Sequence, residues 1–200
     1  RSTARESDGL PAVTRDQITD LLASLMEPPK RKPRPSHRLA AHRLATMVEL
    51  QAESGMRSSE LCSMTVELID RRFEADEGVW LYEPPEHKSE HYRKSRVIVL
   101  METEQNLLSR WMKVAQITSG ILFEVTVGSY RQNLQRALKR AGLPLWTPHQ
   151  LRHTAATETR GEFGLDAAQA KLGHASRRTT EIYAEFDLKA YIQRVRHTSD

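Results

Sequence analysis

Residues 147–161, TPHQLRHTAATETRG, gather His149, Arg152, His153 and Arg160 into a stretch that reads as one helix opened by Thr147 and Pro148. His149 and Arg152 stand three apart, so on a helix they share a face and can point at one ligand. A guanidinium stays charged at every relevant pH, and its planar fork matches the paired oxygens of a phosphodiester. His153, four positions after His149, opens a second possibility, because two histidines at that spacing can bind zinc. The residues between them are Gln150, Leu151 and Arg152. A zinc hydrolase needs a carboxylate in that gap, and an arginine beside the metal is electrostatically unfavourable. His153 is expected instead to be a buried, hydrogen-bonded structural histidine.

Further groups of the same chemical kind lie elsewhere in the chain. In SGMRSSEL, Arg57 follows a glycine turn at a helix start, where backbone N–H groups also favour an anion. Glu60, three residues on, either pairs with it or orients it. Lys88 falls in the turn of a small sheet, with Lys94 across the same turn. In KLGHASRRTTEIYAEF, Gly173 ends a helix just ahead of His174, and Tyr183 supplies a nucleophile nine residues later. Tyr191, by contrast, shares a helical spacing with Leu188, Ile192 and Val195 and reads as a packing residue.

The chain has 200 residues, 38% of them hydrophobic, which suffices for one ordinary globular domain with an added arm. No apolar run is long enough to span a bilayer, and the first residues lack the apolar core of a secretion signal. An intracellular protein is expected, specifically one of the bacterial cytoplasm. The single cysteine, Cys62, excludes an internal disulfide framework and any multi-cysteine zinc site. Charge is unevenly placed, although the net value is only +4. Residues 27–43 carry six Lys or Arg against one acid, residues 44–80 three against eight, and residues 128–196 twelve against six. Two basic regions flanking an acidic one favour a polyanionic partner on part of the surface.

These side chains must be positioned by an architecture that is mainly α with a small antiparallel β-sheet. Thr14 and Gln17 ahead of Ile18, Leu21, Leu22 and Leu25 form a capping box opening a first helix. Pro28 and Pro29 end it, and the proline-rich basic run from Lys30 to Arg38 reads as an exposed loop. Ser36 is expected to cap a helix over 37–53 that stops at Gly55. Two β-rich runs, Phe73 to Tyr82 and Arg96 to Leu100, predict the sheet. Helices are expected near 102–117, 129–141, 148–160, 166–172 and 177–184, followed by a last one. This divides the chain into a polar leader or linker remnant over 1–13, a catalytic unit over 14–186 and a tail helix over 187–200.

GMRSSEL, EHKSEHYRKSRVIVL, HQLRHTAAT, LGHAS and TTEIYAEFD, in that order, resemble the catalytic domain of the tyrosine recombinases, the phage integrase family. The resemblance spans nearly everything after residue 13. It implies that Tyr183 attacks a DNA phosphate to give a 3′-phosphotyrosine and a free 5′-hydroxyl. Arg57 and Arg152 would hold the nonbridging oxygens, His149 and His174 would assist, and Lys88 would protonate the leaving oxygen. It also implies no metal and no cofactor, and tetramers acting on paired sites in double-stranded DNA, with the tail exchanged between subunits. The family's usual N-terminal DNA-clamping domain has no counterpart in these residues. An integrase of a mobile element is the expected function.

The energetics agree with such a cluster. Ionising a phenol of pKa near 10 at pH 7 costs about 4 kcal/mol, which nearby cations reduce. Phosphodiester cleavage requires a barrier reduction of roughly 20 kcal/mol, while one preorganised contact supplies about 3–4, so several must act together. Storing the bond energy in phosphotyrosine removes the need for ATP, and no glycine-rich phosphate loop occurs in the chain. Three alternatives stay open: a type IB topoisomerase, which relaxes DNA as a monomer; a noncatalytic DNA-binding protein, indifferent to Tyr183→Phe; and a zinc hydrolase, sensitive to chelators.

Overall fold

The computed structural model describes residues 11–27, 35–85 and 97–165, together with 168 and 171. Helix α1, Arg15–Met26, opens as its sequence predicts: Thr14 Oγ1 accepts from the Gln17 N–H, and Gln17 Oε1 accepts from the Thr14 N–H at 3.0 Å. Helix α2, Pro35–Ser54, begins at the proline, so Ser36 and Arg38 lie inside it instead of capping it or extending a loop. Proline suits a first helical position because the N–H it lacks would have no partner there. Gly55, at φ 64, ends α2, and its N–H closes on the Gln51 carbonyl at 3.0 Å. A short α3, Ser58–Cys62, follows at once.

The sheet differs from its expected outline. Its strands are β1, Ile69–Asp70, β2, Trp80–Tyr82, and β3, Ile98–Leu100, antiparallel in the order β1-β2-β3. Within the run expected to be continuous strand, residues Glu74–Glu77 form a helical turn, α4, closed by Gly78 at φ 63. Three acids in four residues bring neither β-branching nor an apolar alternation, so nothing favours a strand there.

Helices α5, Glu102–Ala115, α6, Val127–Ala141, and α7, Pro148–Phe163, complete the described elements. Helix α2 is central and packs against α1, α5 and α7. Its Leu44, Met47, Val48 and Leu50 join Leu21, Leu108, Trp111, Leu134 and Leu151 in one core. One face of the sheet, through Ile69, Trp80, Tyr82, Ile98 and Leu100, closes that core, while Val79 and Leu81 pack on the other side with Val97 and Val99. None of the described helices is long and apolar enough to cross a membrane.

Candidate active site

The end of α2 and the start of α7 meet at the Gly55 turn. A left-handed residue there turns the backbone sharply, which aims the Gly55 carbonyl at α7 and puts Arg57 immediately before α3. Arg152 on α7 donates from Nη1 to the Gly55 carbonyl at 2.6 Å and is only 6% exposed. The two arginines expected to act together, 95 positions apart in sequence, are therefore joined through a two-residue step of backbone. Arg57 remains open to solvent, its side chain 46% exposed.

Arg57 is held by Glu60. The Arg57 backbone N–H donates to Glu60 Oε2 at 2.6 Å, and its Nη1 donates to Glu60 Oε1 at 3.1 Å. Glu60 is 5% exposed, and its own carbonyl accepts from the buried Tyr82 hydroxyl at 2.7 Å. Burial pushes that phenol up to about 12. Below the turn, buried Gln51 donates from Nε2 to the Met56 carbonyl at 3.0 Å and to Ser58 Oγ at 3.2 Å, while its Oε1 accepts from the Tyr130 hydroxyl at 2.9 Å. Four polar side chains from α2, α3, β2 and α6 thus fix a few residues of backbone around Arg57. A turn held this way from below keeps its geometry when a charged ligand approaches from above.

His149 lies in the first turn of α7, exposed, with its ring 4.7 Å from that of His153 in an edge-on arrangement. Burial of part of the ring, with His153 and Arg152 nearby, lowers its pKa below the ordinary 6.5, so it is neutral at pH 7. A neutral imidazole near the permanently charged Arg152 can accept a proton or donate a hydrogen bond. His153 matches its expected burial only in part: it is partly buried, and its Nε2 is enclosed without a hydrogen-bond partner among the described residues. No group of three or more His, Cys, Asp or Glu poised for a metal occurs among the described residues.

Of the six expected site residues, Arg57 and Arg152 are linked through the Gly55 turn, and His149 lies near Arg152 on α7. Lys88, His174 and Tyr183 lie outside the described residues, as does the tail stripe from Leu188 to Val195. Gln51, Tyr82 and Tyr130 were not singled out from sequence, where each reads as one more helix or strand residue.

A model of the phage integrase family matches residues 12–189. Tyrosine recombinase XerC of Corynebacterium glutamicum is 30% identical over 161 residues, covering 74% of this chain and 48% of that protein. Tyrosine recombinase XerA of Pyrococcus horikoshii is 31% identical over 147 residues, covering 68% of this chain and 48% of the relative. The chain spans about half the length of these curated relatives. Among solved structures, XerA recombinase superposes with TM-score 0.63 at 22% identity, covering 98% of this chain and 67% of that one. The XerH recombinase bound to its difH substrate gives 0.61 at 21% identity, covering 90% and 52%. The fold is thus that of the tyrosine recombinase catalytic domains.

Proposed function

The chain belongs to the phage integrase family, and on that premise we propose that it cleaves and rejoins double-stranded DNA through a 3′-phosphotyrosine on Tyr183, integrating or excising a mobile element. The observation that carries this reading is the Arg152–Gly55–Arg57 junction, which ties Arg152 to the carbonyl two residues before Arg57, with a neutral His149 near Arg152 on the same helix. Arg57 and Arg152 neutralise the nonbridging oxygens as charge develops on the phosphorus. The Tyr183 oxygen forms the new P–O bond, and the bond from phosphorus to the 5′ oxygen breaks. Lys88 gives that oxygen its proton, and the phenol's proton passes to a histidine, His149 or His174. Attack by the 5′-hydroxyl of another strand reverses the sequence, so no external energy source enters.

Under the same reading, residues 14–186 form the catalytic unit, 1–13 a leader or linker remnant, and 187–200 a tail docking on a neighbouring subunit in a tetramer on paired sites. The working compartment is the bacterial cytoplasm, where the DNA lies. The test uses nicked duplex DNA carrying candidate sites. A denaturant-resistant protein–DNA adduct should form without metal and vanish in Tyr183→Phe. Binding with no adduct from the unaltered chain would overturn the reading in favour of a noncatalytic DNA-binding protein, and relaxation of supercoiled DNA without strand exchange would favour a topoisomerase.

A further inference from the structure

The segment just ahead of α1 runs along α7 in a matched register. Gln150 donates from Nε2 to the Pro11 carbonyl at 3.0 Å, Thr154 from Oγ1 to the Val13 carbonyl at 2.7 Å, and Arg15 from Nε to Glu158 Oε1 at 2.7 Å. The partners step by two residues on one side and by four on the other. Two residues of extended chain advance about 6.7 Å and four residues of helix about 6 Å, so the two repeats stay in step over three contacts. Thr154 has one hydroxyl hydrogen, and its bond to Val13 is shorter than its 3.1 Å approach to the Gln150 carbonyl of its own helix. Val13 is buried in the core, which anchors the segment, and Arg15 also pairs with Glu53 in the last turn of α2.

This stripe lies across the helix from Arg152. Two residues of α-helix turn by about 200°, so Arg152 projects away from both Gln150 and Thr154. Helix α7 is thereby held on one face by residues 11–15 and on the other by the Gly55 carbonyl. We propose that residues 11–15 are a strap that sets the placement of Arg152 against the Arg57 turn, with Thr154 as the positioning residue that fastens it. The inference rests on the reading of Arg57 and Arg152 given above, and it assigns to a backbone segment outside the site a part in aligning it.

Thr154→Val keeps the shape of the side chain and removes the hydroxyl. In single-turnover cleavage of nicked DNA it should slow adduct formation about tenfold, since small misplacements of catalytic groups are costly in rate, while DNA affinity stays within about twofold. Thr154→Ser should restore the rate. Arg15→Met, at a half-exposed position, should give the same pattern more weakly. Independently of activity, hydrogen exchange at the amides of residues 55–58, across α7 from the strap, should quicken in Thr154→Val and recover in Thr154→Ser. Unchanged exchange there would overturn the strap, as would a wild-type cleavage rate in Thr154→Val. Failure of the unaltered chain to form any adduct would instead overturn the proposed function, and the exchange measurement would still decide the strap.

Discussion

Glu60 grips Arg57 at both ends, its two carboxylate oxygens accepting separately from the Arg57 backbone N–H and the guanidinium. The carboxylate fixes the turn and the side chain at once, so its loss releases both. Glu60→Gln keeps an acceptor of nearly the same shape but removes the charge. Charge-assisted bonds are the stronger class, so this change should cost about 1–2 kcal/mol in a denaturant titration. Adduct formation should fall about tenfold as Arg57 wanders. An unaltered rate would show that Arg57 needs no such orientation.

Arg152→Lys should be a poor substitute. An ammonium on a flexible stem cannot offer one N–H to the Gly55 carbonyl and, in a fixed plane, others to a phosphate. Loss of one preorganised charged contact predicts a fall of about 10²–10³-fold in single-turnover cleavage. DNA affinity, summed over many phosphates, should change less than tenfold at about 0.1 M salt. Near-normal cleavage by the lysine variant would contradict a role that depends on the guanidinium plane.

Gln51→Leu should unfold more easily. It leaves the buried Tyr130 hydroxyl and the Met56 carbonyl without a partner they now have. Orphaned buried groups cost about 1–3 kcal/mol each, and for a chain of this size each kcal/mol lowers Tm by about 2–4 °C. With two groups orphaned, calorimetry should therefore give a Tm lower by about 4 °C at the least and about 24 °C at the most. Tyr130→Phe, which strands only Gln51 Oε1, should lose about half as much.

Glu104, 5% exposed at the start of α5, gives stability a pH dependence opposite to that of a paired surface carboxylate. Burial raises it to about 7, with Lys171 opposing and Glu53 reinforcing the rise, while its Oε2 accepts from the Met101 N–H. Since its folded value exceeds the ordinary 4.5, the native protein binds this proton more tightly than the unfolded chain does. Stability therefore falls as pH rises from about 4.5 to about 7 and levels off above, by at most roughly 3 kcal/mol. Glu104→Gln, which retains an acceptor for Met101, should flatten that slope and be the more stable protein at pH 8. Parallel stability profiles for the two proteins would refute this.

Signals that are local were readable from sequence. Thr14 with Gln17, the glycine closing α2, and Pro148 opening α7 each act within one turn of chain, and the structure places helix ends there. The strand expected from Phe73 gives way to a helical turn over Glu74–Glu77, whose acids bring no β-branching or apolar alternation, and only Trp80–Tyr82 pairs as a strand. Nothing local marks the Gly55 carbonyl as the partner of a residue 97 positions away, and Gln51 carries no pattern that separates a buried anchor from a surface amide. Glu104 looks like any acid in a first helical turn until the packing of α2 and α5 encloses it. Residue types announced the arginines; only the topology of α2 against α7 discloses what orders them.

The enclosure of Arg152 bears on how tightly the protein grips its ligand. A long cationic side chain left free in solvent forfeits up to about 2 kcal/mol of rotamer freedom when something immobilises it. Here that loss is incurred once, as the chain folds around the carbonyl at 2.6 Å. An arriving anion meets a group already frozen in place, and its attraction need not be spent on freezing it.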